Sequence, residues 1–281
     1  MTIAITGASG QLGQLVLNRL AEQENAEPII ALMRTPTEPA LNTIETRRFD
    51  YNQIETLIPG LTGVDTLILI SSSEIGQRVS QHRNVITAAQ SANVKRIIYT
   101  SVLHADVSAL SLADEHRATE AALQASGLSF TILRNGWYTE NYTASVKPAL
   151  EEGAFIGSAG KGLISSASRA DYAEALAITA TASRHSEKIY ELAGDTAWTL
   201  AELAAEISRQ SGKQIPYLDL PENEYAQALV KFGLPDGLAS AIASWDSAAS
   251  RGALFDDSHQ LSALIGRPTT GLAASVASAL A

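Results

Sequence analysis

The chain of 281 residues has no cysteine. That excludes disulfides, thiolate nucleophiles and thiolate metal sites, and it leaves the redox compartment unreadable. Charge is also scarce: 18% of the residues are charged, for a formal net charge of −10. A balance of that sign disfavours unspecific attachment to nucleic acid or to an anionic membrane surface. No apolar run approaches the length of a bilayer-spanning helix, and no basic segment precedes an apolar stretch at the start. The expectation is a soluble cytoplasmic protein that binds neither nucleic acid nor membrane. The five histidines, at 82, 104, 116, 185 and 259, show no short ligand spacing, so no metal site is expected. Internal repeats, low-complexity segments and long linkers are absent as well, and the sequence is compatible with a monomer or a homodimer.

What the chain does have is alternation. Short β-branched runs at 2–6 (TIAIT), 27–34 (EPIIALMR), 45–50 (ETRRFD), 64–73 (VDTLILISSS), 95–102 (KRIIYTSV) and 129–135 (SFTILRN) read as strands. Between them, apolar residues recur at helical spacing, as in Leu12, Leu15, Val16 and Leu20, and again in Val85, Ile86, Ala89 and Ala92. The pattern predicts an α/β fold: a Rossmann-like, doubly wound parallel sheet, with residues 155–157 and 188–194 as further strands at its far edge. Residues 1–195 form the expected dinucleotide-binding domain, with a substrate-side loop and helix near 136–152. From Trp198 onward the texture turns Ala-rich and helical, and Thr199 followed by Glu202 has capping-box spacing. Residues 196–281 are accordingly expected to form a small, mostly helical lobe covering the C-terminal ends of the strands.

The first strand runs directly into Gly7, Gly10 and Gly13, and a helix follows. Glycine at those places permits a tight turn, close approach of the backbone to a phosphate, and close helix packing, which together point to a dinucleotide pyrophosphate; a merely structural turn is the other reading. The end of the second strand then distinguishes the dinucleotides. A carboxylate there suits the ribose 2′-hydroxyl of NAD, whereas Arg34 places a cation where a 2′-phosphate would lie, with Thr35 as a further donor. NADPH is the expected cofactor, against the alternative of Arg34 as an ordinary surface arginine. Asp50 and Tyr51, after the third strand, border the adenine on this reading, and Asp50 is equally a helix-capping residue.

One more absence bears on the chemistry. Enzymes of the short-chain type that interconvert alcohols and ketones use a tyrosine with a lysine four residues on. The eight tyrosines here, at 51, 99, 138, 142, 172, 190, 217 and 225, are followed at that distance by Glu, Leu, Tyr, Val, Leu, Gly, Pro and Leu. Where the pair is expected, the sequence DEHRATEAAL carries His116 and Glu120. Alcohol dehydrogenation is thereby disfavoured. A conjugated acceptor such as a quinone or a cationic dye needs less acid assistance, and positioning can supply most of the catalysis. His104 and His116 are the candidate proton sources near neutral pH, with a hydrogen-bonded structural histidine as the leading reading of each, and no catalytic residue is assigned.

Across nearly its whole length, in AITGASGQLG, ILISSSEIGQRVSQHRNVI, YTSVLHAD, ADEHRATE, LRNGWYTENY, YELAGDTAWTL, GLPDGLA and LFDDS, the sequence resembles the bacterial NAD(P)H:quinone oxidoreductases of type 2, which are NmrA-like atypical short-chain dehydrogenases. The resemblance implies hydride transfer from NADPH to a small-molecule quinone without a flavin. It also leaves two alternatives: a redox-sensing regulator that binds NADP(H) with little turnover, and a reductase of another conjugated acceptor such as a triarylmethane dye. It puts Thr6, Gly7, Ala8, Ser9, Gly10, Gln11, Leu12 and Gly13 on the pyrophosphate, Arg34 on the 2′-phosphate, and Ser71, Ser72 and Ser73 on the ribose and nicotinamide side. The loop from Asn135 through Trp137, Tyr138 and Asn141 to Tyr142 would cover the nicotinamide and wall the acceptor site. Its aromatic rings and amides suit a planar, polar-edged ligand, with a packed core loop as the alternative reading. Arg169 is placed within reach of the cofactor or, in the other reading, beside a helix capped by Ser168.

Overall fold

Strands buried on both faces belong in a parallel sheet covered by helices, and the first strand run meets that condition: Ile3, Ala4 and Ile5 are all wholly buried. The computed structural model describes residues 1–23, 27–36 and 44–281. Its chain forms two compact units that interleave along the sequence. Unit 1 comprises Met1–Asp106, Leu112–Asn135 and Arg169–Glu191; unit 2 comprises Val107–Ser111, Gly136–Ser168 and Leu192–Ala281. The segment 136–168 thus groups with the C-terminal residues.

In unit 1 the strands are β1 (Ile3–Ile5), β2 (Ile29–Met33), β3 (Glu45–Arg48), β4 (Thr66–Leu69), β5 (Arg96–Val102) and β6 (Ser129–Asn135), with β8 (Lys188–Leu192) at the edge. They form one seven-stranded sheet in the order β3-β2-β1-β4-β5-β6-β8. Its helices are α1 (Gln11–Ala21), α2 (Leu57–Gly60), α3 (Arg78–Ser91), α4 (Ala113–Gln124) and α7 (Arg169–Thr181). β1 is the switch point: Ile5 pairs in parallel with Ala31 on one side and with Ile68 on the other. In such sheets ligands bind beyond the C-terminal strand ends at that crevice, where Gly7 begins its turn. One face of the sheet is packed by a core that includes Leu67, Leu69, Ile97 and Tyr99 from the strands, with Leu57, Leu61, Val85 and Ala89 from α2, α3 and the loop between β3 and β4.

In unit 2, α5 (Glu140–Thr143), α6 (Val146–Glu152) and β7 (Phe155–Gly157) come first. After them follow α8 (Leu200–Ser211), β9 (Tyr217–Asp219), α9 (Glu222–Lys231), α10 (Asp236–Ala249), α11 (Gln260–Ile265) and α12 (Leu272–Leu280). The Thr199–Glu202 capping box forms as expected: Glu202 N–H donates to the Thr199 hydroxyl, and the Glu202 carboxylate accepts from Thr199 N–H.

Two expectations are corrected. Residues 155–157 do not extend the main sheet; β7 pairs in parallel with β9, Phe155 opposite Tyr217, in a separate two-stranded sheet. Three residues carry too little pattern to select a partner, and the bare Gly157 admits the Leu200 and Tyr217 side chains, since a Cβ there would lie 2.5 and 3.3 Å from them. The fourth strand is also shorter than 64–73. After Leu69, the Ile70 and Ser71 N–H groups turn from the ladder to the hydroxyls of Thr6 and Thr100, at 2.9 and 2.8 Å.

Candidate dinucleotide site and acceptor-side loop

The turn between β1 and α1 is built by its glycines. Gly7 has φ +60, and its carbonyl accepts the Gly10 N–H at 2.9 Å. A Cβ on Gly13 would stand 2.3 Å from that same carbonyl oxygen and 2.8 Å from the Ala8 Cα, so only glycine allows α1 to sit so near the turn. Gly10 caps α1 without a side-chain hydrogen bond, and no acidic residue occupies the first turn. The first-turn N–H groups therefore offer an uncapped, positive helix end to an anion. Gly7, Ser9, Gly10 and Gln11 are exposed there, while Thr6, Ala8, Leu12 and Gly13 are buried and hold the turn from beneath. Backbone that a Cβ would block, next to an uncapped helix start, fits a pyrophosphate.

Arg34, just past β2, has a side chain 72% exposed and pairs with Glu74, Nη1 to Oε1 at 3.1 Å. Ser71, Ser72 and Ser73 follow β4, and their turn is fastened from outside it. Arg78 Nε donates to the Ser72 carbonyl at 2.6 Å, and the Ser72 N–H donates to His82 Nε2 at 3.1 Å. Because a backbone N–H can only donate, His82 Nε2 is unprotonated; Nδ1 carries the proton and donates to the Thr119 hydroxyl at 2.9 Å. Burial, with the nearby Arg78 charge, pushes the His82 imidazole down to about 3. Tyr51 is also a fastener: its hydroxyl contacts the Thr6 hydroxyl at 2.6 Å and the Ile70 carbonyl at 2.9 Å, tying the ends of β1 and β4. Asp50 turns its carboxylate back onto the Asn52 N–H at 3.0 Å.

At the end of β6 lies a group without internal partners: both Asn135 side-chain polar atoms are buried and unbonded within the protein. Buried amides left unpaired are costly and signal a missing partner. Arg169, the first residue of α7, is half-buried. The two residues standing where a tyrosine and lysine are expected on α4 are otherwise engaged. His116 Nδ1 meets the Tyr99 hydroxyl at 2.7 Å, and burial pushes its imidazole down to about 3, so it is a neutral structural histidine. Glu120 accepts from Arg134 Nε and Nη2 at 3.0 and 2.8 Å and from the Ser101 hydroxyl at 2.6 Å. His104 has φ +52, and its N–H donates to Glu191 at 2.8 Å.

The loop of unit 2 has its own geometry. Trp137 and Tyr138 are half-buried and Asn141 is exposed. Tyr142, 7% exposed, is committed to the interior: its ring meets Trp198 edge to face with centroids 5.4 Å apart, and its hydroxyl donates to Asp246 at 3.2 Å. Trp137 meets Trp245 edge to face at 5.5 Å, and Trp245 Nε1 donates to the Ser111 hydroxyl at 3.0 Å. Burial pushes Asp246 up to about 6, and its second oxygen accepts from the Ser158 N–H at 3.1 Å. Glu74, His82, Trp245 and Asp246 escape a sequence reading. The last two had one signal, a Trp-Asp pair inside the apolar helix sequence LASAIASWDSAAS.

The sequence profile of the NAD(P)H-binding family matches residues 7–182. The chain is 56% identical over 277 residues to quinone oxidoreductase 2 of Escherichia coli, covering 98% of this chain and 97% of that one. It belongs to that NAD(P)H-binding family of quinone oxidoreductases. Among solved structures it is similar to the E. coli NADPH-dependent quinone oxidoreductase complexed with NADPH, with a TM-score of 0.95 and 55% identity over 99% of this chain and 100% of that one. The Citrobacter sp. triphenylmethane reductase complexed with NADP(H) is similar at 36% identity, with a TM-score of 0.93 and 99% of each chain covered. Among the described residues, no helix is long and apolar enough to cross a membrane, and no group of three potential ligands could hold a metal.

Proposed function

We propose that this protein is an NADPH-dependent quinone oxidoreductase of the cytoplasm, acting on a small-molecule quinone. The observation that carries the reading is the glycine turn of Gly7, Gly10 and Gly13 opening an uncapped α1, with Arg34 at the end of the adjacent strand β2. The name of the E. coli relative supplies the acceptor class. NADPH, when bound, supplies the hydride.

The chain's residues supply binding and order. The backbone of Thr6 to Gly13 holds the pyrophosphate and Arg34 the 2′-phosphate. Ser71 to Ser73, fastened by His82 and Arg78, border the ribose, and Asn135 offers its unpaired amide to a polar group of the nicotinamide half. Arg169 supports the same cofactor. For the acceptor we assign the loop residues Trp137, Tyr138 and Asn141, with buried Tyr142 fixing the loop from below. Neither His116 nor Glu120 donates a proton, because each is committed to a buried internal bond. The similarity to a triphenylmethane reductase makes cationic triarylmethane dyes a second acceptor class for the same loop.

The test is NADPH oxidation, followed by its near-ultraviolet absorbance, with benzoquinone or naphthoquinone, beside NADH and an Arg34→Ala variant. Losing charge-assisted bonds worth about 1.5–3 kcal/mol raises KM for NADPH about ten- to a hundred-fold and leaves NADH unchanged. Tight NADPH binding without turnover on any acceptor would overturn the enzyme reading.

A further inference from the structure

Arg34, assigned above to the 2′-phosphate, already has an anion. Its Nη1 lies 3.1 Å from Glu74 Oε1. The carboxylate is held from its other oxygen, which accepts from Gln81 Nε2 at 2.8 Å and from Asn52 Nδ2 at 3.4 Å. Gln81 is 1% exposed, so the anchor on α3 is buried. The Glu74 backbone is held too, its N–H donating to the Ser72 hydroxyl at 3.1 Å. Arg34 is the more exposed member of the pair, with its side chain 72% exposed against 39% for Glu74.

We propose that Glu74 sets the preference of this chain between NADPH and NADH by competing with the 2′-phosphate for Arg34. The inference rests on the cofactor reading above. A phosphate and a carboxylate cannot both approach one guanidinium without repelling each other, and the exposed pair is weak enough, at about 1 kcal/mol or less, for the phosphate to draw Arg34 away. NADPH therefore binds against a standing competitor. NADH carries no such phosphate. It leaves the pair intact and meets in Glu74 a fixed carboxylate, the group that accepts a ribose 2′-hydroxyl in NAD-preferring sites. One side chain thus restrains selectivity from both directions, weakening the phosphate-bearing dinucleotide and supporting the other.

The test is calorimetric titration of the full chain with NADP⁺ and with NAD⁺, for the wild type and Glu74→Gln, without any acceptor. The glutamine keeps an oxygen for Gln81 and Asn52 and removes the charge. The expected result is NADP⁺ binding tighter by about five-fold, the equivalent of one exposed ion pair, and a Kd ratio of NAD⁺ to NADP⁺ raised about ten-fold. Glu74→Asp, which withdraws the carboxylate by one methylene, shifts the ratio in the same direction by less and decides the matter if the glutamine variant does not fold. A Kd ratio that stays within about two-fold of the wild type, or NADP⁺ binding that weakens, overturns the inference while leaving the cofactor assignment standing. A wild type that binds neither nucleotide overturns that assignment and this inference together.

Discussion

The backbone N–H of Ser72 donates to Nε2 of His82 at 3.1 Å, so the order of the serine turn after β4 depends on an imidazole staying neutral. Protonation of His82 would place a second donor against that N–H and break the bond.

Stability should fall on acidification from that cause. His82 and His116 are both pushed down to about 3 from an ordinary 6.5. With a depressed folded-state value, the unfolded chain binds the proton first, so stability is complete above about pH 6.5 and is lost as pH falls toward 3. Asp246, pushed up to about 6 from 3.8, works in the opposite sense over part of that range, since the folded chain binds its proton first. The two buried histidines outweigh the one aspartate, and His185, also pushed down by burial, adds to them, so stability falls as pH drops from 6 to 4. Urea unfolding at several pH values measures the slope; a flat profile over that interval would contradict the neutral-histidine assignment.

Replacing Gly13 with alanine should be severe. The added Cβ would lie 2.3 Å from the Gly7 carbonyl oxygen, and α1 must shift away from the turn. Overpacking of this kind costs about 1–3 kcal/mol, and displacing the uncapped helix end should weaken NADPH by more than about ten-fold. Thermal melting and a binding titration separate the two effects.

Trp137→Ala tests the acceptor loop apart from the cofactor. It removes the ring that meets Trp245 at 5.5 Å. KM for the quinone should rise about ten-fold, as expected for the loss of an aromatic contact of about 1 kcal/mol together with the ordering it gives, and KM for NADPH should stay within about two-fold. A rise confined to NADPH would remove the loop from the acceptor side.

Glu120→Gln distinguishes a structural from a chemical role at the place where a catalytic lysine is expected. Its carboxylate takes two bonds from Arg134, and both residues are buried. Arg134 keeps Glu191 and Asp106 at 2.7 and 2.9 Å, so the loss is that of its charge-assisted bonds to Glu120, about 1.5–3 kcal/mol. Chemical denaturation should register that loss, while kcat of the folded fraction stays near that of the wild type.

The parts of the fold that could be read directly are those whose causes are local. Gly7, Gly10 and Gly13 act on one another across a few residues, and Thr199 and Glu202 close their box within one turn. Where partners come from afar, the reading fails. The end of β4 is set by hydroxyls of Thr6 and Thr100, which lie 64 and 29 residues away from the N–H groups they accept from. His116 and Glu120 stand on α4 at catalytic-looking positions, yet their duties come from Tyr99 on β5 and Arg134 on β6. Arg34 shows as a cation at the right strand end, but the carboxylate it meets stands 40 residues on. Asp246 was hidden by its setting, a polar residue inside an apolar helix, where only the folded loop reveals the hydroxyl and the N–H that it accepts from.

The interleaving of the units bears on descent. Unit 2 is assembled from three separate stretches, Val107–Ser111, Gly136–Ser168 and Leu192–Ala281. A single genetic crossover cannot replace it wholesale, because any one breakpoint leaves part of the parent loop behind. Exchange of unit 2 by recombination needs several breakpoints at once, whereas a point substitution acts on any one of its three stretches separately.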